Sequence, residues 1–449
     1  MICPMRIPFR FFIPLALTLA IEGVTTSARA QEEPGALRML AASDLHFTPF
    51  GDTALVLHLL LGAPSPAVPA ASANTAQYGS ETDSRLLERL LSDMRQQAAH
   101  PTAILLPGDL LAHGLDDSVR KYARDTTAAN LRHIHLAILA YVRGRIQANF
   151  PGVPVLYSLG NNDSYDGDYA VEDDGSFLRE ASGHLFGAPG ERLPETFAHH
   201  GYGRLPLPGV PGARLLILNT TFFSSRFPGP VRSGQAELEW LEKELAAARR
   251  EHVHVWLELH IPPGMDAYAS WKRGAPVALW QPDANRRVLE LLREYRNVVS
   301  AAFAGHLHRN EFRSVLRADG TPAAAIHAVP AVSSIFGNNP AFQILEVDVR
   351  SGKLRDAVTF ALDLAARDSL FREEFRFSKR YGNLPDAAGY ARLDTLLSSS
   401  TAVRTDFQKA FGGGSAHAIP SGYWRFEACV LGHLDPESYE TCLQKTPVP

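Results

Sequence analysis

The chain has 449 residues, of which 45% are hydrophobic and 20% charged, and it contains 34 Gly, 31 Pro and 3 Cys. This composition is too apolar for a disordered chain and too poor in cysteine for a small disulfide-rich protein. A formal net charge of −4 also argues against a nucleic acid polymer as a partner.

Residues 1–30 have the pattern of a secretory signal peptide. Arg6 and Arg10 give a positively charged start, residues 11–21 form an apolar stretch, and Ala28-Arg29-Ala30 fits a cleavage site. The apolar stretch is too short to span a bilayer, and no later apolar run is long enough to do so. We therefore expect an exported protein, periplasmic or secreted, without a transmembrane anchor.

Six short apolar runs predict strands that are buried on both faces. They cover residues 37–43, 103–106, 153–159, 215–219, 253–259 and 298–304. Helical periodicity between the runs predicts helices at 84–98, at 233–249 with Ser233 as its N-cap, and at 283–294. Strands that alternate with helices are typical of an α/β fold with largely parallel pairing.

The segments outside this pattern divide the chain into a core and a tail. Residues 62–79 are rich in Ala, Pro, Ser and Asn, which predicts a surface loop. After residue 363 the strand signal fades into a polar, helical pattern with a Gly-rich hinge at 412–414. We predict a signal peptide at 1–30, an α/β domain at 31–363 and a small helical C-terminal subdomain at 364–449.

Two cysteines remain after the signal peptide, Cys429 and Cys442. An even pair in an exported protein predicts one disulfide that closes the tail. The alternative is two unrelated buried thiols.

Side chains able to bind metals follow five of the six predicted strands. They are Asp44, His46, Asp109, Asn161, His260, His306 and His308. Because the carboxyl ends of parallel strands share one edge of a sheet, we expect these side chains to converge on one site. A single histidine would be weak evidence, whereas the ordered set SDLH, PGDLLAH, GNND, LHIPPG and GHLH at strand ends predicts a metal centre.

The residue types restrict the metal. Oxygen and imidazole ligands without thiolate suit Zn, Mn or Fe at a hydrolytic site. Two close cations need a shared carboxylate, and Asp109 is the natural bridge. Gly108 and Gly160 would allow tight turns near the metals, and Gly305 would do the same before the histidine pair.

The five motifs, in this order, resemble the metallophosphoesterase (calcineurin-like) superfamily, and their details resemble its acid sphingomyelinase-like phosphodiesterase branch. The branch-like segments are SDLHFTPF, GDLLAH, GNNDSYDGDY, HIPPG, GHLHRNEF and FGNNPAF. The resemblance covers roughly residues 37–350 and extends more weakly to the late cysteine pair. It implies a four-layer αββα sandwich, with two facing sheets between helices, and it makes 31–363 the catalytic domain.

The resemblance also implies roles for the seven side chains. One metal would be bound by Asp44, His46, Asp109 and His308, and the other by Asp109, Asn161, His260 and His306. The two divalent ions would hold a bridging hydroxide that attacks the phosphate ester. Purple acid phosphatases bind ferric iron with a tyrosine three positions after the bridging aspartate. That position is Ala112 here, so we expect zinc.

The residue after the asparagine ligand departs from the superfamily pattern. Most members have a histidine there, but this chain has Asn162, which can donate a hydrogen bond to a phosphoryl oxygen but cannot give up a proton. His113 is therefore the predicted general acid, because the branch resembled here also has a histidine four residues after the bridging aspartate. The alternative is a loop histidine that only supports the site. Asp163 is expected to brace its loop by accepting backbone hydrogen bonds.

Substrate-contacting residues carry a weaker sequence signal. Candidates follow the third and fourth strands and occupy a late Gly/Asn/Pro loop, with plain loop packing as the alternative. They are Tyr165, Asp166, Asp168, Phe222, Phe223, Phe336, Asn338 and Asn339.

The sequence therefore predicts an exported dinuclear-metal phosphodiesterase whose partner is a small-molecule phosphodiester of the nucleotide or phosphocholine type. A narrower alternative is a sphingomyelin phosphodiesterase, whose lipid substrate would add peripheral contact with a membrane. Further alternatives are an endopolyphosphatase or phosphomonoesterase, and an inactive binding protein. The complete set of ligands argues against the last.

Overall fold

The computed structural model describes residues 35–61, 76–123, 125–185, 194–366, 370–415, 417 and 422–446. The predicted signal peptide and the greater part of the predicted loop at 62–79 lie outside the described residues.

Two six-stranded sheets form the centre of the fold. The first contains, in spatial order, β12 (Arg372–Arg376), β11 (Leu354–Ala361), β10 (Ala341–Asp348), β1 (Ala36–Ala41), β2 (Ile104–Pro107) and β3 (Val155–Ser158). The second contains β4 (Gly203–Pro206), β5 (Arg214–Ile217), β6 (Val255–Glu258), β7 (Val299–Ala304), β9 (Pro322–Ala328) and β8 (Phe312–Leu316).

Helices connect the strands and build the C-terminal region. Up to the last strand they are α1 (Thr53–Leu61), α2 (Ser84–Gln97), α3 (Leu115–Tyr122), α4 (Ala128–Asn149), α5 (Ser176–Leu185), α6 (Glu195–His200), α7 (Val231–Glu251), α8 (Ala267–Arg273) and α9 (Pro282–Glu294). After it follow α10 (Phe377–Tyr381), α11 (Ala387–Ser399), α12 (Thr401–Phe411), α13 (Tyr423–Val430) and α14 (Pro436–Lys445). The α/β prediction with two sheets, helices and a helical C-terminal region is confirmed.

The six predicted strands are all present, as β1, β2, β3, β5, β6 and β7. Within each sheet these strands pair in parallel, β1 with β2 and β2 with β3 in the first, and β5 with β6 and β6 with β7 in the second. The expectation of largely parallel pairing is wrong for β10, β11, β12, β4 and β8, which join antiparallel, whereas β9 pairs in parallel with β7. Alanine-rich β9 and charged β12 have low strand propensity and gave little signal.

The predicted helices are confirmed apart from one cap. Helix α2 begins after Asp83, whose Oδ1 accepts a hydrogen bond from the Leu86 N–H at 2.8 Å, and it buries its leucines on one face. Helix α7 begins at Val231, so the prediction of Ser233 as N-cap is wrong. The Ser233 hydroxyl instead donates to Asp173 Oδ2 at 2.7 Å.

The tail adds both a strand and a disulfide. Strand β12 lies beyond residue 363 and pairs with β11, so the first sheet continues past the predicted boundary. The predicted disulfide is confirmed, since Cys429 and Cys442 are bonded and join α13 to α14. Around it lies a small hydrophobic cluster that includes Met265, from the segment after β6. The division into domains at 363 stays a prediction.

Candidate metal centre

The seven predicted metal ligands lie together at the carboxyl ends of strands from both sheets. Asp44 and His46 follow β1, Asp109 follows β2, Asn161 follows β3, His260 follows β6, and His306 and His308 follow β7. All except the half-buried His306 are buried. The structure therefore brings together every ligand that the motifs predicted.

One group of donor atoms forms around Asp44. Its Oδ1 lies 3.3 Å from Nε2 of His308 and 3.8 Å from Nε2 of His46. The two Nε2 atoms are 3.2 Å apart. The backbone N–H of His306 lies 3.1 and 3.0 Å from the two Asp44 oxygens, which fixes the carboxylate toward the histidines.

Asp109 lies between this group and a second one. Its Oδ2 is 3.4 Å from Nε2 of His46 and 3.3 Å from Nε2 of His260. Asn162 donates its backbone N–H to Oδ1 at 2.8 Å and its side-chain amide to Oδ2 at 2.9 Å. Asp109 thus has the position expected of a carboxylate shared by two cations.

The second group contains Asn161, His260 and His306. Oδ1 of Asn161 lies 3.0 Å from Nε2 of His260, and the ring centroids of His260 and His306 are 5.2 Å apart. Nδ2 of Asn161 donates to Asp168 Oδ1 at 2.6 Å, so the amide oxygen is the atom that faces the histidine. Nε2 of His306 lies 3.4 Å from the Tyr169 hydroxyl.

Two of the histidine rings are oriented as metal ligands. Nδ1 of His46 lies 3.1 Å from the Leu111 carbonyl oxygen, and Nδ1 of His260 lies 2.7 Å from that of Pro107. Because a carbonyl only accepts, each Nδ1 carries a proton and each Nε2 turns toward the carboxylates. A nitrogen lone pair and a carboxylate oxygen this close repel one another unless a proton or a metal cation lies between them. The donor set therefore fits divalent metal ions.

Backbone strain concentrates in the same residues. The φ angles are 49° at Asp44, 43° at His46, 56° at Asp109, 70° at His306 and 57° at His308. This left-handed region is uncommon for residues other than glycine. It persists where surrounding contacts hold it, and it clusters at functional sites. The left-handed backbone thus coincides with predicted ligands at the ends of β1, β2 and β7.

The turns after β2 and β3 are held against each other by Asp163. The donors to its carboxylate are the backbone N–H groups of Asp109, Leu110, Leu111 and Gly160, at 2.9–3.0 Å, and the Tyr157 hydroxyl. The predicted bracing role of Asp163 is confirmed.

Glycines allow the turns to approach this closely, as predicted. A Cβ on Gly160 would lie 2.0 Å from Asp109 Oδ1, and one on Gly108, whose φ is +82°, would lie 2.5 Å from His260 Nδ1. A Cβ on Gly305 would lie 2.2 Å from the Ser43 hydroxyl oxygen. Side chains at these positions would displace the ligands.

The site favours the protonation state that binds metals at Asp44, Asp109, His46 and His306, but not at His260. Burial raises the pKa of Asp44, but His308 outweighs it and lowers the pKa to about 2. Burial likewise raises the pKa of Asp109, which His260 and His46 hold well below its usual range. Burial lowers the pKa of His46 to about 4 and of His306 to about 3. Burial also lowers the pKa of His260, but Asp109, Asp44 and the Pro107 carbonyl together raise the pKa to about 9, so a bound cation would displace a proton from His260.

His113 lies beside this centre. Its ring stacks on that of His46 with centroids 4.1 Å apart, and its Nδ1 lies 2.8 Å from Oε1 of Glu81. The Ser333 hydroxyl donates to the other Glu81 oxygen at 3.0 Å. Burial lowers the pKa of His113, but the hydrogen bond to Glu81 together with the charges of Glu81, Asp109 and Asp168 outweighs burial and raises the pKa. Sequence reasoning missed Glu81, because it stands outside the motifs and reaches His113 only in the folded chain.

Several predicted substrate residues are structural instead. Phe222 and Phe223 are fully buried and pack against Phe227 and Trp280, so the prediction that they line a pocket is wrong. Apolar residues that follow a buried strand here continue the core.

The two asparagines of the late loop and Tyr165 also have internal partners. Asn338 donates to the Ser333 carbonyl oxygen at 2.8 Å and Asn339 to that of Gly413 at 3.0 Å. Tyr165 donates to Glu180 at 2.9 Å. These contacts match the loop-packing alternative.

Phe336 and Asp168 remain at the site. The Phe336 residue is 56% exposed, and its ring centroid lies 4.7 Å from that of His308 and 5.9 Å from that of His113. Asp168 holds the amide of Asn161, as described above. Phe336 is therefore the aromatic candidate that the structure places beside the metal ligands.

Curated proteins match more than half of the chain, and one of them nearly all of it, although no protein-family model matches it. The human acid sphingomyelinase-like phosphodiesterase 3b is 24% identical over 443 residues, which cover 94% of this chain and 93% of that protein. The predicted resemblance is confirmed. The Bos taurus cyclic GMP-AMP phosphodiesterase SMPDL3A is 23% identical over 69% of this chain and 71% of its own length.

A solved structure of a dimetal phosphatase from Danio rerio aligns with a TM-score of 0.43 and 14% identity, over 72% of this chain and 95% of that one. The acid sphingomyelinase-like relatives bear out the predicted enzyme class, a metal-dependent phosphoric ester hydrolase. Across the part of the chain that the structure describes, no helix has the length and apolar character needed to cross a membrane.

Proposed function

We propose that the chain is an exported dinuclear-metal phosphodiesterase that hydrolyses small phosphodiesters. The position of Asp109 carries the proposal, because its Oδ2 lies 3.4 Å from Nε2 of His46 and 3.3 Å from Nε2 of His260. A carboxylate between two groups of donor atoms can be shared by two cations and lessen their repulsion.

Each cation would take ligands from both sheets. Asp44, His46, Asp109 and His308 would hold one, and Asp109, Asn161, His260 and His306 the other. When bound, two divalent ions supply a nucleophile from water at neutral pH and neutralise charge on the phosphate. Zinc is supported by the oxygen and imidazole ligands and by Ala112, which offers no phenolate.

His113 would protonate the leaving oxygen. With Glu81 accepting from Nδ1, the proton that the imidazolium can give up lies on Nε2. The His113 side chain is 35% exposed, so a bound substrate can reach it. Asn162 would orient Asp109 through its two hydrogen bonds, and its second amide N–H would be available to a phosphoryl oxygen.

The substrate would be of the nucleotide or phosphocholine type. The relatives are named as phosphodiesterases, one of them for cyclic GMP-AMP. The exposed ring of Phe336, 4.7 Å from His308, can stack on a planar base. An exposed aromatic ring beside the predicted metal ligands favours a nucleotide-type substrate.

A panel of phosphate esters tests the proposed activity. The protein loaded with zinc should hydrolyse bis-(p-nitrophenyl) phosphate faster than p-nitrophenyl phosphate or polyphosphate. Turnover of the monoester alone would show that the phosphodiesterase assignment is wrong. Sphingomyelin vesicles and nucleotide diesters, assayed in parallel, separate the narrower lipid alternative from the nucleotide one.

Export is supported by the signal-like N-terminus and by the disulfide, since disulfides persist in oxidising compartments. N-terminal sequencing of the protein recovered outside the cytoplasm should begin at Gln31. Recovery of the uncleaved chain from the cytoplasm would contradict export.

A further inference from the structure

Asn161 differs from the other predicted ligands in how its strand is supported. In the sheets that the structure describes, β1, β2, β6 and β7 each lie between two neighbours, whereas β3 is the edge of the first sheet. An edge strand is hydrogen-bonded on one side only and opens more easily than an inner one. The loop after β3, residues 161–169, therefore needs further contacts to hold Asn161 in place.

The loop provides the first of these contacts itself. The Tyr169 N–H donates to the Asn161 carbonyl oxygen at 2.8 Å, and Asn161 Nδ2 donates to Asp168 Oδ1 at 2.6 Å. A carboxylate can only accept, so Asp168 holds the amide nitrogen and leaves the amide oxygen toward His260. If the amide rotated, its NH₂ group would face the metal position and the ligand would be lost.

Arg226 fixes this loop from the second sheet. It follows β5 and the 3₁₀ turn Thr220–Phe223, and its Nη2 lies 3.1 Å from Asp168 Oδ2. Its guanidinium carbon lies 4.0 Å from the ring centroid of Tyr169, a residue whose φ is +63°. The same arginine therefore contacts both Asp168 and Tyr169, each of which contacts a predicted ligand.

The segment that carries Arg226 is itself held in place. The Ser225 N–H donates to the Leu279 carbonyl oxygen at 2.9 Å, and the Arg226 N–H donates to the Ser224 hydroxyl at 3.1 Å. Arg226 thus reaches across from a fixed support to a loop that follows an edge strand.

We propose that Asp168 and Arg226 are positioning residues that hold Asn161 in its metal-binding orientation. The inference rests on the proposed two-metal function. It predicts that losing either residue weakens one metal equivalent and leaves the other unchanged. Both side chains are partly exposed, 40% for Asp168 and 64% for Arg226, so their replacement should leave the fold intact.

Zinc titration of the metal-free protein by calorimetry tests the proposal. The wild type should bind two equivalents. In Asp168→Ala one equivalent should bind about 10- to 100-fold more weakly, the range found when partners of metal ligands are removed. Arg226→Ala should show the same change at smaller size, and Asp168→Asn, which keeps an acceptor for the Asn161 amide, should recover part of the affinity. Excess zinc should restore kcat in both alanine variants.

Arg249 provides a matched control. It is 53% exposed, pairs with Glu294 at 3.0 Å and lies 4.4 Å from the ring centroid of Tyr295, on helices away from the metal ligands. Arg249→Ala should bind zinc like the wild type. If Asp168→Ala also binds both equivalents like the wild type, or weakens both equally with a fall in melting temperature, the positioning role is wrong. Failure of the wild type to bind two equivalents would instead overturn the proposed function.

Discussion

The metal centre has an inner group, Asp44, His46 and His308, and an edge loop, residues 161–169, and the two are held in different ways. The inner group follows β1 and β7, which have neighbours on both sides, and its backbone is strained but buried. The edge loop follows β3 and depends on contacts made by Asp163 and Asp168. Motifs predict ligands in both and the bracing by Asp163, but only the structure shows that Asp168 and Arg226 also support the edge loop.

The largest effect is expected from the residue that joins the edge loop to the turn after β2. In Asp163→Ala four buried backbone N–H groups lose their acceptor, and we expect the free energy of unfolding to fall by about 3 kcal/mol or more. Asp348, the last residue of β10, also accepts two backbone hydrogen bonds, from the surface turn that follows, and contacts Ser351 and Arg355. Asp348→Ala should lower the free energy of unfolding by about 1 kcal/mol or less. Urea denaturation measures both variants, and equal losses would contradict a special bracing role for Asp163.

The next effect concerns the histidine beside the inner group. His113→Ala should lower kcat/KM about 100-fold or more for diesters with poor leaving groups, and little for those that release p-nitrophenolate, because only the former need a proton. Glu81→Gln should give the same pattern at smaller size. An equal loss for both classes of leaving group would exclude His113 as the general acid.

Close packing of Gly160, the residue before the edge loop, against Asp109 predicts a loss of turnover as well. A Cβ on Gly160 would lie 2.0 Å from Asp109 Oδ1, so Gly160→Ala should displace the carboxylate and lower turnover by about 100-fold. A Cβ on Gly144 in α4 would meet no atom within 4 Å outside the backbone of its own helix. Gly144→Ala should keep full activity and raise the free energy of unfolding by about 0.5–1 kcal/mol. Full activity in Gly160→Ala would show that the loop tolerates movement.

The smallest effect is expected at the surface of the inner group. Phe336→Ala should raise KM for nucleotide-type substrates by about three- to tenfold without changing kcat, because it removes a stacking surface. Tyr268 has nearly the same exposure, 57% against 56%, but contacts Trp271 and Tyr423 instead of the metal ligands. If Tyr268→Ala and Phe336→Ala raise KM equally, Phe336 has no specific role in substrate binding.

The sequence predicted the parts of the centre that strand order determines. All seven ligands converge because they directly follow strands, and Asp163 braces its turn because it lies within the same motif. Glu81 and Arg226 could not be predicted, since each meets its partner only after separate segments fold together. Phe222 and Phe223 were wrongly predicted to line a pocket, because aromatic residues after a strand fit a pocket and a core equally well. Strands β9 and β12 were missed because alanine-rich and charged sequences have low strand propensity.

The metal content of Asp109→Asn tests the two-metal centre most directly. Wild-type protein should contain two equivalents of divalent metal by elemental analysis. Asp109→Asn should retain at most one equivalent and lose turnover of bis-(p-nitrophenyl) phosphate, because a neutral amide cannot replace the shared carboxylate. The control Asp174→Asn replaces an exposed aspartate that contacts His199 at 2.8 Å. It should keep both metal equivalents. Two equivalents and undiminished turnover in Asp109→Asn would contradict the account.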